Sequence, residues 1–79
     1  MTDLEKYQEV FIDTFSVKTE DLNESFAYQS TEAWDSIGHM SLITALENTF
    51  DILIEMDDVI DFASFEKGKE ILRKYDVGL

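Results

Sequence analysis

Residues 34–42 read Trp34-Asp35-Ser36-Ile37-Gly38-His39-Met40-Ser41-Leu42. This stretch is a polar turn that leads directly into an amphipathic helix. Asp35 is a good N-cap residue, because its short carboxylate can accept hydrogen bonds from the free backbone N–H groups of the first helical turn. Ser36 is then the first helical residue, with an exposed hydroxyl. A phosphate attached to that hydroxyl would lie at the helix end that favours negative charge.

The apolar residues after Ser36 follow helical spacing and predict a helix from about Ser36 to about Phe50. They are Ile37, Met40, Leu42, Ile43, Leu46 and Phe50, and they also predict a large share of the core. Gly38 costs this helix up to ~1 kcal/mol relative to alanine. Two interpretations are open: the glycine lets a bulky group approach the serine, or it is tolerated because it lies near a helix end.

Four short segments carry a resemblance to a known family: Asp35-Ser36-Ile37, Ala45-Leu46-Glu47, Phe50-Asp51 and Ile54. They are similar to the acyl carrier proteins, in which the serine of an Asp-Ser-Leu motif carries 4′-phosphopantetheine. Ile37 stands where leucine is usual in that family. The match runs without a gap from Asp35 to Leu72, and the preceding residues have the length of the family's first helix and long first loop. The resemblance therefore covers essentially the whole chain.

The resemblance implies an all-α four-helix bundle of the acyl carrier protein type, with three main helices, a short third helix and a long first loop. It implies one carrier domain over residues 1–79. It also implies that Ser36 carries 4′-phosphopantetheine covalently and that Asp35 and Ile37 flank the attachment site. The arm would hold an acyl or aminoacyl group as a thioester and pass it between separate enzymes. We therefore expect a carrier that is not itself an enzyme, with no catalytic residues and no metal.

The resemblance also implies a docking face on the exposed side of the second helix. Its candidate residues are Ile37, Met40, Ser41, Thr44, Glu47 and Asn48. The implied partners are a phosphopantetheinyl transferase, a ligase that loads the acyl or aminoacyl group, and acyltransferases or synthases with basic docking surfaces. Acidic residues are common in the family at the places of Ser41 and Asn48, so the docking face of this chain is less acidic than usual. This difference predicts a dedicated set of partners.

The remaining segments predict a helix on each side of this region. Thr2 or Asp3 can cap a first helix whose buried stripe is Leu4, Tyr7, Val10, Phe11 and Phe15. Polar residues then predict a loop from Ser16 to Asp35, anchored by Leu22, Phe26 and Tyr28, with Trp34 as a packing residue that closes it. After an extended connector at 51–55, Asp57 can cap a short third helix. Ser64 can cap a last helix that runs through Tyr75 and ends at Gly78.

Composition excludes several classes of protein. The chain has 79 residues, enough for one domain, with 18 acidic residues against 6 basic ones and a net charge of −12. Nucleic acid is a poor partner, because binding it depends on Lys and Arg. The absence of cysteine excludes disulfides and thiolate metal sites. No apolar run approaches the ~20 residues of a membrane span, and the first five residues lack the features of a signal peptide. We expect a cytoplasmic monomer that does not bind membranes.

Two other chemistries fit the sequence poorly. A hydrolase could use Ser36 as nucleophile and His39 as base, since the two lie one helical turn apart, but no motif supplies an oxyanion hole. We instead interpret His39 as a residue that faces solvent or the acyl chain. A calcium loop of the EF-hand type starting at Asp51 would place Met56 where glycine is needed and Phe62 where glutamate is needed. The acidic residues from Asp51 to Asp61 are better explained as a solvated face.

Two functions remain from different classes: the stand-alone carrier, and an unmodified acidic helical adaptor that keeps the carrier-like fold. For the carrier, Phe62 and Phe65 are expected to fill volume between the last two helices and the second helix, which favours small or polar acyl groups. Gly68 argues the other way, because it would leave a gap for a longer chain.

Overall fold

The computed structural model describes all 79 residues. Its elements are α1 (Asp3–Phe15), a short 3-10 turn (Thr19–Asp21), α2 (Ser36–Phe50), α3 (Met56–Asp61) and α4 (Phe65–Arg73). There is no β-strand; the sole β contact is an isolated antiparallel bridge between Ala27 and Ser64. The predicted all-α class, with four helices and a long first loop, is confirmed.

Helix α1 begins with a capping box. Thr2 Oγ1 accepts the Glu5 N–H at 3.2 Å, and Glu5 Oε1 accepts the Thr2 N–H at 3.0 Å. These bonds satisfy two backbone donors that the first turn would otherwise leave unpaired. The predicted buried stripe is confirmed at Tyr7, Val10, Phe11 and Phe15. Leu4, by contrast, is 40% exposed, so it lies at the edge of the stripe and not within it.

An aromatic cluster forms the centre of the core, and Phe11 lies at its middle. The ring of Phe11 has six aromatic neighbours with centroids 4.9–6.4 Å away: Tyr7, Phe15, Phe26, Trp34, Phe62 and Phe65. Rings from α1, the first loop and the segment around α4 therefore meet at one residue. Edge-to-face and offset pairs of this kind contribute more than their buried area alone.

The first loop is held down by these side chains and by its backbone. Leu22, Phe26 and Trp34 are buried, which confirms the first two as anchors and Trp34 as a packing residue. The Phe65 N–H donates to the Phe26 carbonyl and the Tyr28 N–H donates to the Ala63 carbonyl, both at 2.9 Å. The loop thus packs against the α3–α4 connection, so its long polar sequence has a fixed path.

Helix α2 has its predicted bounds. Leu42, Ile43 and Leu46 face the core, and Phe50 packs against it. Ile37 and Met40 are 80% and 51% exposed, so their predicted contribution to the core is wrong. The helix ends at Asp51, which adopts a left-handed conformation with φ of 54°. The interpretation that Gly38 is merely tolerated near a helix end is wrong, and the approach of a bulky group to the serine stays a prediction. A Cβ on Gly38 would collide with the carbonyl oxygen of Ala33, so glycine is required by the close approach of the chain's own loop.

Helices α3 and α4 differ from prediction at their ends. The N-cap of α3 is Glu55, not Asp57, and the helix begins at Met56. Ser64 caps α4 as predicted, with Oγ accepting the Lys67 N–H at 2.9 Å. However, α4 ends at Arg73, well before Gly78.

Gly68 does not leave a gap. It is buried in α4, and a Cβ there would overlap the ring of Phe62 and the hydroxyl of Tyr7. The space is already occupied by these two side chains, which are 1% and 0% exposed. The Tyr7 hydroxyl also donates to the Phe65 carbonyl at 2.7 Å. The interior next to α4 is therefore filled, and the expectation of room for a long chain at this point is wrong.

Candidate functional site

Ser36 lies at the exposed start of α2, as predicted. Asp35 is the N-cap: its backbone is extended, and its Oδ1 accepts the Gly38 N–H at 2.8 Å. This bond fixes the turn that presents Ser36 and leaves the serine side chain at the surface. The local sequence alone determines this geometry, because the cap and its donor are three residues apart.

The Ser36 hydroxyl faces another hydroxyl. Tyr28 Oη lies 3.3 Å from Ser36 Oγ, and either oxygen can donate. The sequence predicts Tyr28 only as a loop anchor, yet it is 37% exposed and its hydroxyl reaches Ser36. No local pattern indicates this contact, because it depends on the fold of the long loop.

His39 connects three parts of the molecule. Trp34 Nε1 donates to His39 Nδ1 at 2.9 Å, and His39 Nε2 lies 2.8 Å from the Val59 carbonyl oxygen in α3. Because an indole N–H can only donate, Nδ1 must be unprotonated, and the proton on Nε2 is donated to Val59. Of the two positions expected for His39, the one facing solvent is wrong, since the ring is half-buried and stacked with Trp34. The position facing an acyl chain stays a prediction. Both ring nitrogens are used, so neither is free to accept a proton from Ser36.

A cavity of about 400 Å³ opens beside Ser36, between the start of α2 and α3. It is mainly apolar, and Met40, Met56 and Ile60 leave much of their side chains exposed around it. Its full lining is Tyr28, Ser36, His39, Met40, Met56, Val59, Ile60, Phe62 and Ala63. A flexible group attached to Ser36 would begin at the edge of this cavity.

The predicted docking face lies on the other side of Ser36. A shallow groove follows the surface of α2 and is lined by Ser36, Ile37, Met40, Ser41, Thr44, Ala45 and Asn48. Ile37 is 80% exposed and Met40 is 51% exposed. Glu47, however, is half-buried, and its Oε2 accepts the Ile54 N–H at 2.9 Å. Its carboxylate therefore also holds the α2–α3 connector in place.

One member of the acidic run is not solvated. Asp58 is 8% exposed and accepts hydrogen bonds from Lys74 Nζ and from Tyr75 Oη, at 2.5 and 2.6 Å. These bonds, and the charge of Lys74, lower the pKa of Asp58. Tyr75 Oη in turn accepts the Glu55 N–H. The cluster joins α3 to the end of α4, and the sequence-based expectation of a uniformly solvated acidic face is wrong at this residue.

Comparison of the chain with protein-family models, with curated proteins and with solved structures gives no match. Two properties of the structure bear on other kinds of site. None of its helices has both the length and the apolar character needed to cross a membrane. No three His, Cys, Asp or Glu side chains gather in an arrangement that could hold a metal ion.

Proposed function

We propose that the protein is an acyl or aminoacyl carrier of the acyl carrier protein type, with 4′-phosphopantetheine attached to Ser36. The observation that carries the proposal is an exposed serine hydroxyl at the first position of α2, at the edge of an apolar cavity of about 400 Å³. The four helices, the short α3 and the long first loop support the same family.

Attachment and transport require little chemistry from the chain itself. A transferase would join Ser36 Oγ to the phosphorus of the phosphopantetheine group of coenzyme A. Oγ gives up its proton, the P–O bond between the two phosphates of coenzyme A breaks, and adenosine 3′,5′-bisphosphate leaves. The thiol at the end of the arm then holds the acyl group as a thioester. The cavity volume is within the ~300–1,000 Å³ usual for small-molecule sites, and the space next to Gly68 is filled by Phe62 and Tyr7. We therefore propose a short or polar acyl group, with a longer chain remaining outside.

The docking face of α2 would receive the transferase, the loading ligase and the acyltransferases or synthases. Ile37 and Met40 supply an exposed apolar centre. The net charge of −12 favours partners with basic surfaces, because complementary charge raises the rate of association. A carrier must be released after each transfer, so these complexes are expected to be small in area and weak.

Intact mass spectrometry tests the attachment. The wild-type chain is incubated with coenzyme A and a phosphopantetheinyl transferase, beside Ser36→Ala and Ser25→Ala. Ser25 is the matched control, since it is an exposed serine of the first loop, outside the docking face. We expect wild type and Ser25→Ala to gain the mass of one phosphopantetheine and Ser36→Ala to gain none, with circular dichroism unchanged. A mass gain in Ser36→Ala would show that another residue is modified.

A second candidate function is the unmodified adaptor. Ile37, Leu53 and Ile60 are 71–84% exposed, and such residues could contact a partner directly without any cofactor. The same mass measurement separates the two functions. A wild-type chain that stays unmodified with active transferase would favour the adaptor.

A further inference from the structure

We propose that Tyr28 is a positioning residue for the phosphodiester on Ser36. Its hydroxyl would donate a hydrogen bond to a non-bridging phosphate oxygen and so direct the arm across the cavity between α2 and α3. The inference rests on the proposed function. Its starting observation is the 3.3 Å separation of Tyr28 Oη and Ser36 Oγ.

Tyr28 is held in place before any group is attached. Its N–H donates to the Ala63 carbonyl at 2.9 Å, and the preceding residue, Ala27, forms the β bridge with Ser64. Its ring packs edge-on against Trp34 and His39, with interplanar angles of 82° and 84°. Little entropy would be lost in forming a new bond from a side chain that is already ordered.

The attached phosphate would change the role of each hydroxyl. Once Ser36 Oγ is esterified it has no proton to donate, and the strongest acceptors nearby become the charged non-bridging oxygens. Tyr28 Oη then becomes the donor, and hydrogen bonds to an ionised acceptor are about twice as strong as neutral ones. Each non-bridging oxygen would be bonded to the phosphorus that Ser36 Oγ carries. The Tyr28 hydroxyl already lies beside Oγ, so it can reach one of these oxygens.

The sequence around Ser36 supplies no competing cation. No Lys or Arg occurs between Lys18 and Lys67, which covers most of the first loop, all of α2 and all of α3. The carboxylate of Asp35 repels a phosphate. Apart from the backbone N–H groups at the start of α2, the donor that the structure places beside Ser36 Oγ is the Tyr28 hydroxyl.

The position of Tyr28 also determines the direction of the arm. Tyr28 lines the cavity that contains Met56 and Ile60, but it does not line the groove that contains Ile37. A phosphate bonded to Tyr28 would therefore lie on the cavity side of Ser36. The arm would then start toward α3, away from the docking face.

The test uses the full chain, modified with coenzyme A and transferase, as wild type, Tyr28→Phe and Tyr75→Phe. Tyr75→Phe is the matched control, because it removes a tyrosine hydroxyl that bonds Asp58 and Glu55 instead of Ser36. Intact mass reports attachment, and ³¹P NMR reports the environment of the phosphodiester. We expect all three to gain the mass, with a shifted and narrower ³¹P resonance in Tyr28→Phe alone. The methyl resonances of Met56 and Ile60 should move on modification in wild type, and less in Tyr28→Phe.

The two proposals fail separately. If wild type gains no mass, the carrier function is wrong. If it gains the mass but the ³¹P resonance is the same in wild type and Tyr28→Phe, the positioning role is wrong and the carrier function stands. If Tyr28→Phe alone resists modification, the hydroxyl acts before transfer, which also overturns the stated role. The wild-type chain gives an independent check: the Cζ resonance of Tyr28 must shift when the arm is attached.

Discussion

Replacing Gly68 with alanine tests whether the interior next to α4 is filled. The new methyl group would overlap the Phe62 ring and the Tyr7 hydroxyl. Neither can move easily, since both side chains are almost fully buried and the Tyr7 hydroxyl is bonded to the Phe65 carbonyl. The substitution therefore sets a gain in helix propensity against a steric cost in the core.

The steric cost should exceed the gain. Alanine is favoured over glycine within a helix by ~1 kcal/mol. Forcing a methyl group into a packed core costs ~1–3 kcal/mol, and displacing the Tyr7 hydroxyl from its acceptor costs ~0.5–1.5 kcal/mol more. The expected result is a loss of about 2 kcal/mol, which for a domain of this size lowers Tm by roughly 8–16 °C.

Thermal unfolding followed by circular dichroism measures this change. Glu70→Ala is the matched control, because Glu70 is exposed on the same helix, and its Tm should change little. The double variant Tyr7→Phe/Gly68→Ala should lose less stability than the two single changes added together, since it removes one of the overlapping atoms. A Tm higher than wild type for Gly68→Ala would refute the reasoning, because it would mean that space exists beside α4.

Two further predictions concern Asp58 and Met40. Asp58→Asn should lower stability to urea at pH 7. In the folded state, the bonds from Lys74 and Tyr75 lower the pKa of Asp58 below its unfolded value of about 3.9. The stabilisation that the Asp58 carboxylate contributes is therefore complete above a pH of about 3.9 and is lost as the pH falls through the folded pKa. The difference from wild type should therefore shrink at pH 3, and a constant difference would contradict this. Met40→Ala should raise the transferase KM about fivefold with kcat unchanged, because the complex would lose ~1 kcal/mol of apolar burial. Thr49→Ala is the exposed control and should leave KM unchanged. If Met40→Ala has the same KM as this control, Met40 is not part of the docking face.

The sequence predicted the helix starts that depend on neighbours three residues away. Thr2 with Glu5, Asp35 with Gly38, and Ser64 with Lys67 are all of this kind. The buried faces of α1 and α2 were predictable for the same reason, since helical periodicity is a local property. The start of α3 could not be predicted from local sequence in this way. Asp57 is the better local cap, but the helix begins after Glu55, whose N–H is held by the hydroxyl of Tyr75 from the far end of the chain.

Contacts that cross the fold account for most of the site that sequence reasoning missed. His39 and Val59 are 20 residues apart, and Asp58 and Lys74 are 16 apart. In sequence Asp58 looks the same as its neighbours Asp57 and Asp61. Only the packing of α3 against the end of α4 buries it, and no cap or periodicity encodes that arrangement.

The stacked pair of Trp34 and His39 gives the molecule an optical reporter of its own. Trp34 is the only tryptophan, it is fully buried, and its ring lies at 15° to an imidazole that lines the cavity. A buried indole emits at shorter wavelength than one in water, and a neighbouring imidazole changes its yield. Any group that enters the cavity and displaces His39 will alter this emission, so occupancy can be followed in a cuvette without a label.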